Sequence, residues 1–311
     1  MISSNFDKIV KSVIKQSPFQ RKKLQAYLAG RDVNFFEEAE LFASSYSDYL
    51  GSTDIPMDFA VSAYLEMCRN MMQCQVEFMK TGKYTVTEHD DAFVDVYSNE
   101  KKMKSYMIGL AISQFLWPTH YEMYKFFGDA INKYGGNVKS YLEIGPGHGL
   151  FLNKALGHLK HCKDIAAVDI SPISIGITKS IIEFFHKGRF PIDFRNQDVL
   201  HFSSTEKYDF ITMGEVLEHV TYPEKLLFKL YSMLATNGRV FISTCVNAPA
   251  IDHIYHFKDI SEIIDMVEKC GFNIESDLVL PVENLPMETI VAQKIAINYC
   301  AILRREKNAT L

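Results

Sequence analysis

Glu143-Ile144-Gly145-Pro146-Gly147-His148-Gly149 is the stretch on which the reading of this chain turns. Tyr141 to Ile144 is a short apolar run of strand character, and a helix is expected from about Leu150, so three alternating glycines occupy a strand-to-helix turn. Glycine lets the main chain turn sharply and lets a ligand approach it with no Cβ in the way, while a helix N-terminus presents N–H groups. Two readings stand at this point: a tight turn, or a cradle for a nucleotide-like ligand.

Working outward, Ile165 to Asp169, Ile192 to Arg195, Asp209 to Met213 and Val240 to Thr244 read as further buried strands. Helical stretches such as Leu226, Leu227, Leu230 and Leu234 separate them. Repeated strand-helix units predict a doubly wound α/β sheet. Phe272 to Leu280 and Ala296 to Leu303 lack a periodic helix between them and close the sheet as an antiparallel pair. The expectation is seven strands, mostly parallel, with an antiparallel last strand.

Upstream the pattern is helical. Phe6, Ile9, Val10, Val13 and Ile14 form one stripe, Ser17-Pro18 supplies a cap and a first-turn proline, and Gly30 and Gly51 read as stops. A helix opening near Pro56 carries Ala60, Val61, Tyr64, Met67, Cys68 and Met71 on one face, and Gly82 with the polar Thr85 to Asp91 breaks it. The last helix runs from about Asn99 to Trp117, ended or kinked by Pro118. This divides the chain into an all-helical N-terminal domain, 1–128, a cap or dimerisation unit, and an α/β domain, 129–311. A homodimer through the N-terminal helices is expected.

The 311 residues are 47% hydrophobic and 23% charged, which supports a full core. A net charge of -5 and a pI near 6.1 argue against a nucleic-acid or anionic-membrane partner. The positive charges between Lys11 and Lys23 read as a solvated helix face. Cys68, Cys74, Cys162, Cys245, Cys270 and Cys300 form no Cys-x-x-Cys pair and read as buried thiols. Met1 to Phe6 lacks a basic stretch followed by an apolar run, no stretch of about 18 apolar residues appears, and a cytoplasmic location is expected.

Downstream acids give the glycine loop its meaning. Asp169 ends the second strand about twenty residues on, where an acid accepts hydrogen bonds from ribose hydroxyls. Asp198 comes after the third strand beside apolar Val199, a pairing suited to an adenine edge and face. The glycines are spaced G-x-G-x-G, whereas nicotinamide sites use G-x-G-x-x-G. Leu142 to Gly149, Val168-Asp169-Ile170-Ser171, Gln197-Asp198-Val199, Phe210 to His219 and Leu234 to Gly238 together resemble the class I S-adenosylmethionine (SAM) dependent methyltransferases, over residues 137–304. The resemblance implies a Rossmann-like fold with SAM as cofactor. It places Glu143, Gly145, Pro146, Gly147 and Gly149 at the methionine part, Asp169 and Ile170 at the ribose, Asp198 and Val199 at the adenine, and Gly214 beside them.

The acceptor site is expected beyond the fourth strand, where Glu215, Glu218 and His219 would share one side of a helical turn, with His253 after strand five. Similar Glu-x-x-Glu-His segments, completed by a later His, occur in metal-dependent small-RNA and ubiquinone-pathway O-methyltransferases. That resemblance implies a divalent metal ion on Glu215, Glu218, His219 and His253, although the spacing to the later His differs here. Many metal-free methyltransferases carry a closely similar stretch, in which the acid caps a helix and the His packs or holds substrate. In that reading Glu215 and His219 line the pocket.

His120 and Tyr121, beside the lone Trp117, are further candidates for a base or a substrate contact, with Tyr106 behind them. His253 to His256 and the loop from Pro281 to Pro286 are expected as other walls. The function expected is transfer of a methyl group to a small-molecule acceptor. The alternatives are a carrier-tethered, protein or RNA acceptor, or a SAM-binding protein that transfers no methyl, such as a partner subunit or a SAM cyclase.

Overall fold

The computed structural model describes residues 4–85 and 99–306. Of the polar break expected at Thr85 to Asp91, only Thr85 lies within the described residues. Ser4 caps helix α1 (Asn5–Gln16), its side chain accepting from the Asp7 N–H, and Phe6, Ile9, Val10 and Val13 are buried as the stripe requires. Pro18 opens a 3-10 turn that leads into α2 (Arg21–Ala29). Helix α3 (Val33–Ser52) is capped by Asp32 and ends one residue past Gly51, as that glycine led one to expect. Helix α4 (Met57–Thr81) ends at Gly82, whose φ of 68° suits a residue without Cβ.

Asn99 caps α5 (Glu100–Ser113). Pro118 does more than end it: it is a first-turn proline of α6 (Pro118–Tyr134), which needs no N–H there. Helix α6 passes position 128 unbroken, and the turn to the sheet comes at Gly135–Asn137.

The sheet comprises β1 (Ser140–Ile144), β2 (Asp164–Asp169), β3 (Ile192–Asn196), β4 (Tyr208–Gly214), β5 (Leu234–Val246), β6 (Phe272–Pro281) and β7 (Ile297–Arg305). Their order is β3-β2-β1-β4-β5-β7-β6. The first five strands are mutually parallel, and β7 alone is antiparallel to its neighbours β5 and β6. Helices α7 (Leu150–Leu156), α8 (Pro172–His186), α9 (Pro223–Met233) and α10 (Ile260–Lys269) connect the strands, and a short α11 (Met287–Ala292) interrupts the final pair. The order reverses between β1 and β4, where open α/β sheets form a crevice at the strand carboxyl ends.

Among the described residues most of the helical core is shared with the sheet. One buried cluster runs from Phe6 and Phe35 through Phe127 to Tyr141, Phe210 and Phe241 on the sheet. The Phe127 and Phe241 rings meet edge-on at 5.0 Å. This anchors the helices as a fixed roof over the strand ends. Helices α4 and α5 cross closely at Gly109 of α5, where an added Cβ would stand 2.9 Å from the Ala63 carbonyl oxygen of α4. Gly109→Val is therefore expected to force the helices apart and to cost about 1–3 kcal/mol, read as a lowered Tm in thermal denaturation.

Candidate functional site

A cavity of about 670 Å³ opens between the roof and the carboxyl ends of β1, β2, β4 and β5. That volume suits a ligand pocket. Met71, Met103, Tyr106, Met107, Trp117 and His120 face it from the helices. From the sheet side come Glu143 to His148, Asp169 and Ile170, Gln197 to Val199, and Gly214 to Val216. Thus the residues expected for a cofactor meet in one place, except Gly149, which supports the loop from behind.

The loop's shape demands its glycines. Gly145 has φ 64° and Gly149 φ 75°. A Cβ on Gly145 would lie 2.6 Å from Val216 Cγ2, and one on Gly149 would lie 3.1 Å from Thr178 Cα. The expectation of open helix N–H groups is corrected in part. The Leu150 N–H donates to His148 Nδ1 at 3.1 Å, and the Gly149 N–H to the Pro146 carbonyl at 2.7 Å. His148 is half-buried, and desolvation holds it well below its ordinary value, at about 4, so it serves as a neutral cap.

Asp169 Oδ1 accepts from the Ser171 N–H at 2.8 Å. Burial raises this carboxyl to about 6, against the opposing Ser171 and Gly147 N–H groups. Asp198 Oδ1 accepts from the Leu200 N–H at 2.8 Å, which turns the chain so that Val199 also reaches the cavity.

Glu143 is 2% exposed and accepts from the Tyr141 hydroxyl at 2.6 Å; Tyr141 also meets Thr212 Oγ1 at 2.9 Å. Burial raises the Glu143 carboxyl from 4.5 to about 8. Its folded value exceeds its unfolded one, so this contribution to stability is complete below pH 4.5 and is lost as pH climbs through 8. Glu143→Gln keeps the shape without the titration. In thermal melts without ligand, its Tm is expected to fall less than that of the unaltered chain between pH 6 and pH 9, by about 3 °C or more.

Beyond β4 the polar end is built by two strands and a loop. Glu215 sits in the left-handed region at φ 52°, its N–H donating to the Ser243 carbonyl (2.9 Å) and, at 3.1 Å, to Ser243 Oγ. The next residues form a 3-10 turn, Leu217–His219, rather than α-helix. The Glu218 carbonyl accepts the N–H groups of Ile254 and Tyr255 at 2.8 and 2.9 Å, docking the loop after β5. His253 is thereby brought beside His219, ring centroids 4.8 Å apart.

His219 Nδ1 lies 2.9 Å from the Asp252 carbonyl, which can only accept, so Nδ1 carries a proton. Nε2 is then bare in the neutral ring, 3.8 Å from Glu218 Oε1. Burial draws His219 down, but the charges of Asp252 and Glu218 outweigh it and the net shift is upward. His253 Nδ1 likewise donates to the Ala248 carbonyl at 2.6 Å, and its value is lowered by burial and by His219.

The four expected metal ligands do not form one constellation. Donor atoms of Glu218, His219 and His253 lie within 4.8 Å of one another, and Glu215 instead groups with Glu218 and Cys245. The left-handed turn at Glu215 is the reason, since it sends that side chain toward β5. Glu218 is fully buried behind the wall, with Oε2 accepting from Thr244 Oγ1 at 2.7 Å.

His120 lines the cavity. Ser113 Oγ donates to the Leu110 carbonyl (2.7 Å) and so accepts from His120 Nδ1, also at 2.7 Å. Burial, with His148 nearby, holds His120 at about 3, neutral throughout the physiological range. Tyr121 does not reach the cavity. It packs against Phe35 at 4.8 Å, its hydroxyl 3.4 Å from Glu38, because it lies on the inner face of α6. Of the other expected walls, His253 and Val282 contribute, whereas His256 stacks on Tyr84 at 4.7 Å outside the cavity. Asp252, Cys245 and Ser113 were missed, being a loop acid, a strand thiol and a helix serine with no pattern of their own.

The profile of a methyltransferase domain matches residues 120–277, just over half of the chain, from the start of α6 into β6. Ubiquinone biosynthesis O-methyltransferase of Coxiella burnetii is 31% identical over 107 residues, 34% of this chain and 43% of that protein. Malonyl-[acyl-carrier protein] O-methyltransferase 1 of Ilyobacter polytropus is 31% identical over 115 residues, 36% of this chain and 41% of that protein. The chain therefore spans less than half the length of these relatives. The structure of the mitomycin 7-O-methyltransferase MmcR covers 80% of this chain, and 70% of that one, with a TM-score of 0.54 at 11% identity, a likeness of fold. With the glycine loop, the strand-end acids and the single reversed strand inside one matched fold, the chain belongs to the class I SAM-dependent methyltransferase family.

Proposed function

We propose that this chain transfers the methyl group of SAM to an oxygen of a small-molecule acceptor held in the cavity. The lining carries the reading: α4, α5 and the N-cap of α6 cover the strand ends with Met71, Met107 and Trp117, leaving a half-open, mainly apolar chamber with one polar end. Two relatives are O-methyltransferases by name, which supports oxygen as the acceptor atom. Methyl-labelled SAM is to be incubated with the protein and an extract of the parent organism. Label in a small molecule is expected, and label confined to protein or nucleic acid would refute the reading.

The cradle fits the cofactor, since side chains on its glycines would occupy the place a ligand needs. Gly145 to Gly147 would hold the methionine part, Asp169 and Ile170 the ribose, and Asp198 with Val199 the adenine. When bound, SAM supplies an electrophilic methyl on a sulfonium. The chain aligns the acceptor, excludes water and takes a proton. His219 is placed for the proton, and neutral His120 for a hydrogen bond.

Asp169 must be ionised to accept from two hydroxyls. With its value near 6, S-adenosylhomocysteine affinity is expected to fall as pH drops below 6. Asp169→Asn is expected to weaken binding about tenfold and to flatten that dependence, both read by calorimetry.

A second reading has its own observation. Glu215 Oε1 and Glu218 Oε1 are buried and receive no donor from the surrounding chain, so Glu215 has only Glu218 and Ser243 to answer it. Burial and the Glu218 charge hold Glu215 far above the ordinary carboxylate range, so without a cation it keeps its proton. A divalent cation on Glu218, with His219 and His253 or with Glu215, would satisfy these oxygens and lower the pKa of an acceptor hydroxyl.

A further inference from the structure

We propose that this cation is a thiophilic one, of the zinc and iron(II) class, and that Cys245 Sγ holds it together with Glu215 and Glu218. The proposal rests on the cation reading above. Among the described residues, Cys245 is the only one of the six cysteines that joins a cluster of potential ligands. Its Sγ and one oxygen each of Glu215 and Glu218 lie within 4.8 Å of one another. Cys245 is 2% exposed yet faces the cavity, as Glu215 does, so the seat opens on the chamber and leaves positions for an acceptor.

Packing alone does not account for the grouping. A thiol that only fills a core needs no polar neighbour, and here it stands 3.7 Å from His253 Nδ1 and beside two carboxyl groups whose buried Oε1 atoms receive no donor from the rest of the chain. No lysine or arginine among the described residues pairs with either acid. The contents also choose the ion. Magnesium and calcium require oxygen ligands throughout, whereas sulfur with carboxylate suits zinc and iron(II). The adjoining set shares Glu218 and adds the imidazoles of His219 and His253, which favour the same ions. A hard cation is thus disfavoured whichever set dominates, and Cys245 is the ligand that separates the two.

The probe is cobalt(II), titrated into the metal-stripped full chain. The expected result is one equivalent bound, with visible bands and a near-ultraviolet sulfur-to-cobalt band. Cys245→Ser should abolish the near-ultraviolet band while the visible bands persist, and zinc affinity should fall at least tenfold. Visible bands with no sulfur band in the unaltered chain would overturn the Cys245 assignment and leave the cation reading standing. No cobalt or zinc uptake at all would overturn both. Should Cys245→Ser fail to fold, X-ray absorption at the zinc edge of the unaltered chain decides. A sulfur neighbour at about 2.3 Å supports the proposal, and a shell of oxygen and nitrogen alone refutes it.

Discussion

His219→Ala is expected to lower kcat by about 100-fold to 10,000-fold, the range that a positioned acid-base group contributes, with S-adenosylhomocysteine affinity changed less than about threefold. The Asp252 carbonyl fixes the ring's tautomer, leaving Nε2 as the lone pair beside the cavity. The neutral ring is the active form, and its value is raised once the Asp252 and Glu218 charges overcome burial. Turnover should therefore rise with pH on an acid limb above the ordinary histidine range. Asp252→Asn removes one of those charges, so the limb should move to lower pH. Under the cation reading His219→Ala loses metal along with turnover, which elemental analysis of the same sample would show. Full turnover in His219→Ala would place the reacting centre elsewhere.

Gly145→Val is expected to weaken S-adenosylhomocysteine binding by at least about a hundredfold in calorimetry, with the far-ultraviolet circular dichroism unchanged. The backbone at φ 64° costs a residue with a Cβ about 1–2 kcal/mol. The branched side chain must also displace Val216, 2.6 Å from its first atom, in the segment that carries Glu215. Both effects push the loop into the space the ligand requires. Gly176→Ala is the matched control: that exposed position in α8 has nothing within 4 Å of the added Cβ, so binding should be unchanged. Binding that survived Gly145→Val would remove the loop from the cofactor site.

The strands were legible because the central strands β1, β2 and β4 are buried and need continuous apolar runs, while β3 and β6 at the edges are partly exposed; each expected run lies within or largely overlaps an observed strand. The helices were legible in type and less so in extent. Gly51 reads as a stop and α3 ends one residue beyond it, whereas Pro118 begins α6 and the helix before it has already ended at Ser113. Glycine and proline break a helix only by their position in it, and that position is set by neighbours. Phe127 and Phe241 join the helices to the sheet in one core, a contact between distant residues that no local pattern records.

The sequence by itself determined the succession of strands along the chain and the glycines of the turn between β1 and α7. Both come from local rules, the period of apolar residues and the need for glycine where φ is positive. Only the tertiary structure decided the polar end. The left-handed turn at Glu215 divides the expected ligands between two clusters, and the docking of the 252–256 loop on Glu218 brings up His253 and Asp252. Burial then fixes which groups keep their protons. None of this is written in spacing, because charge, burial and donor distance depend on segments that meet only when the sheet has closed.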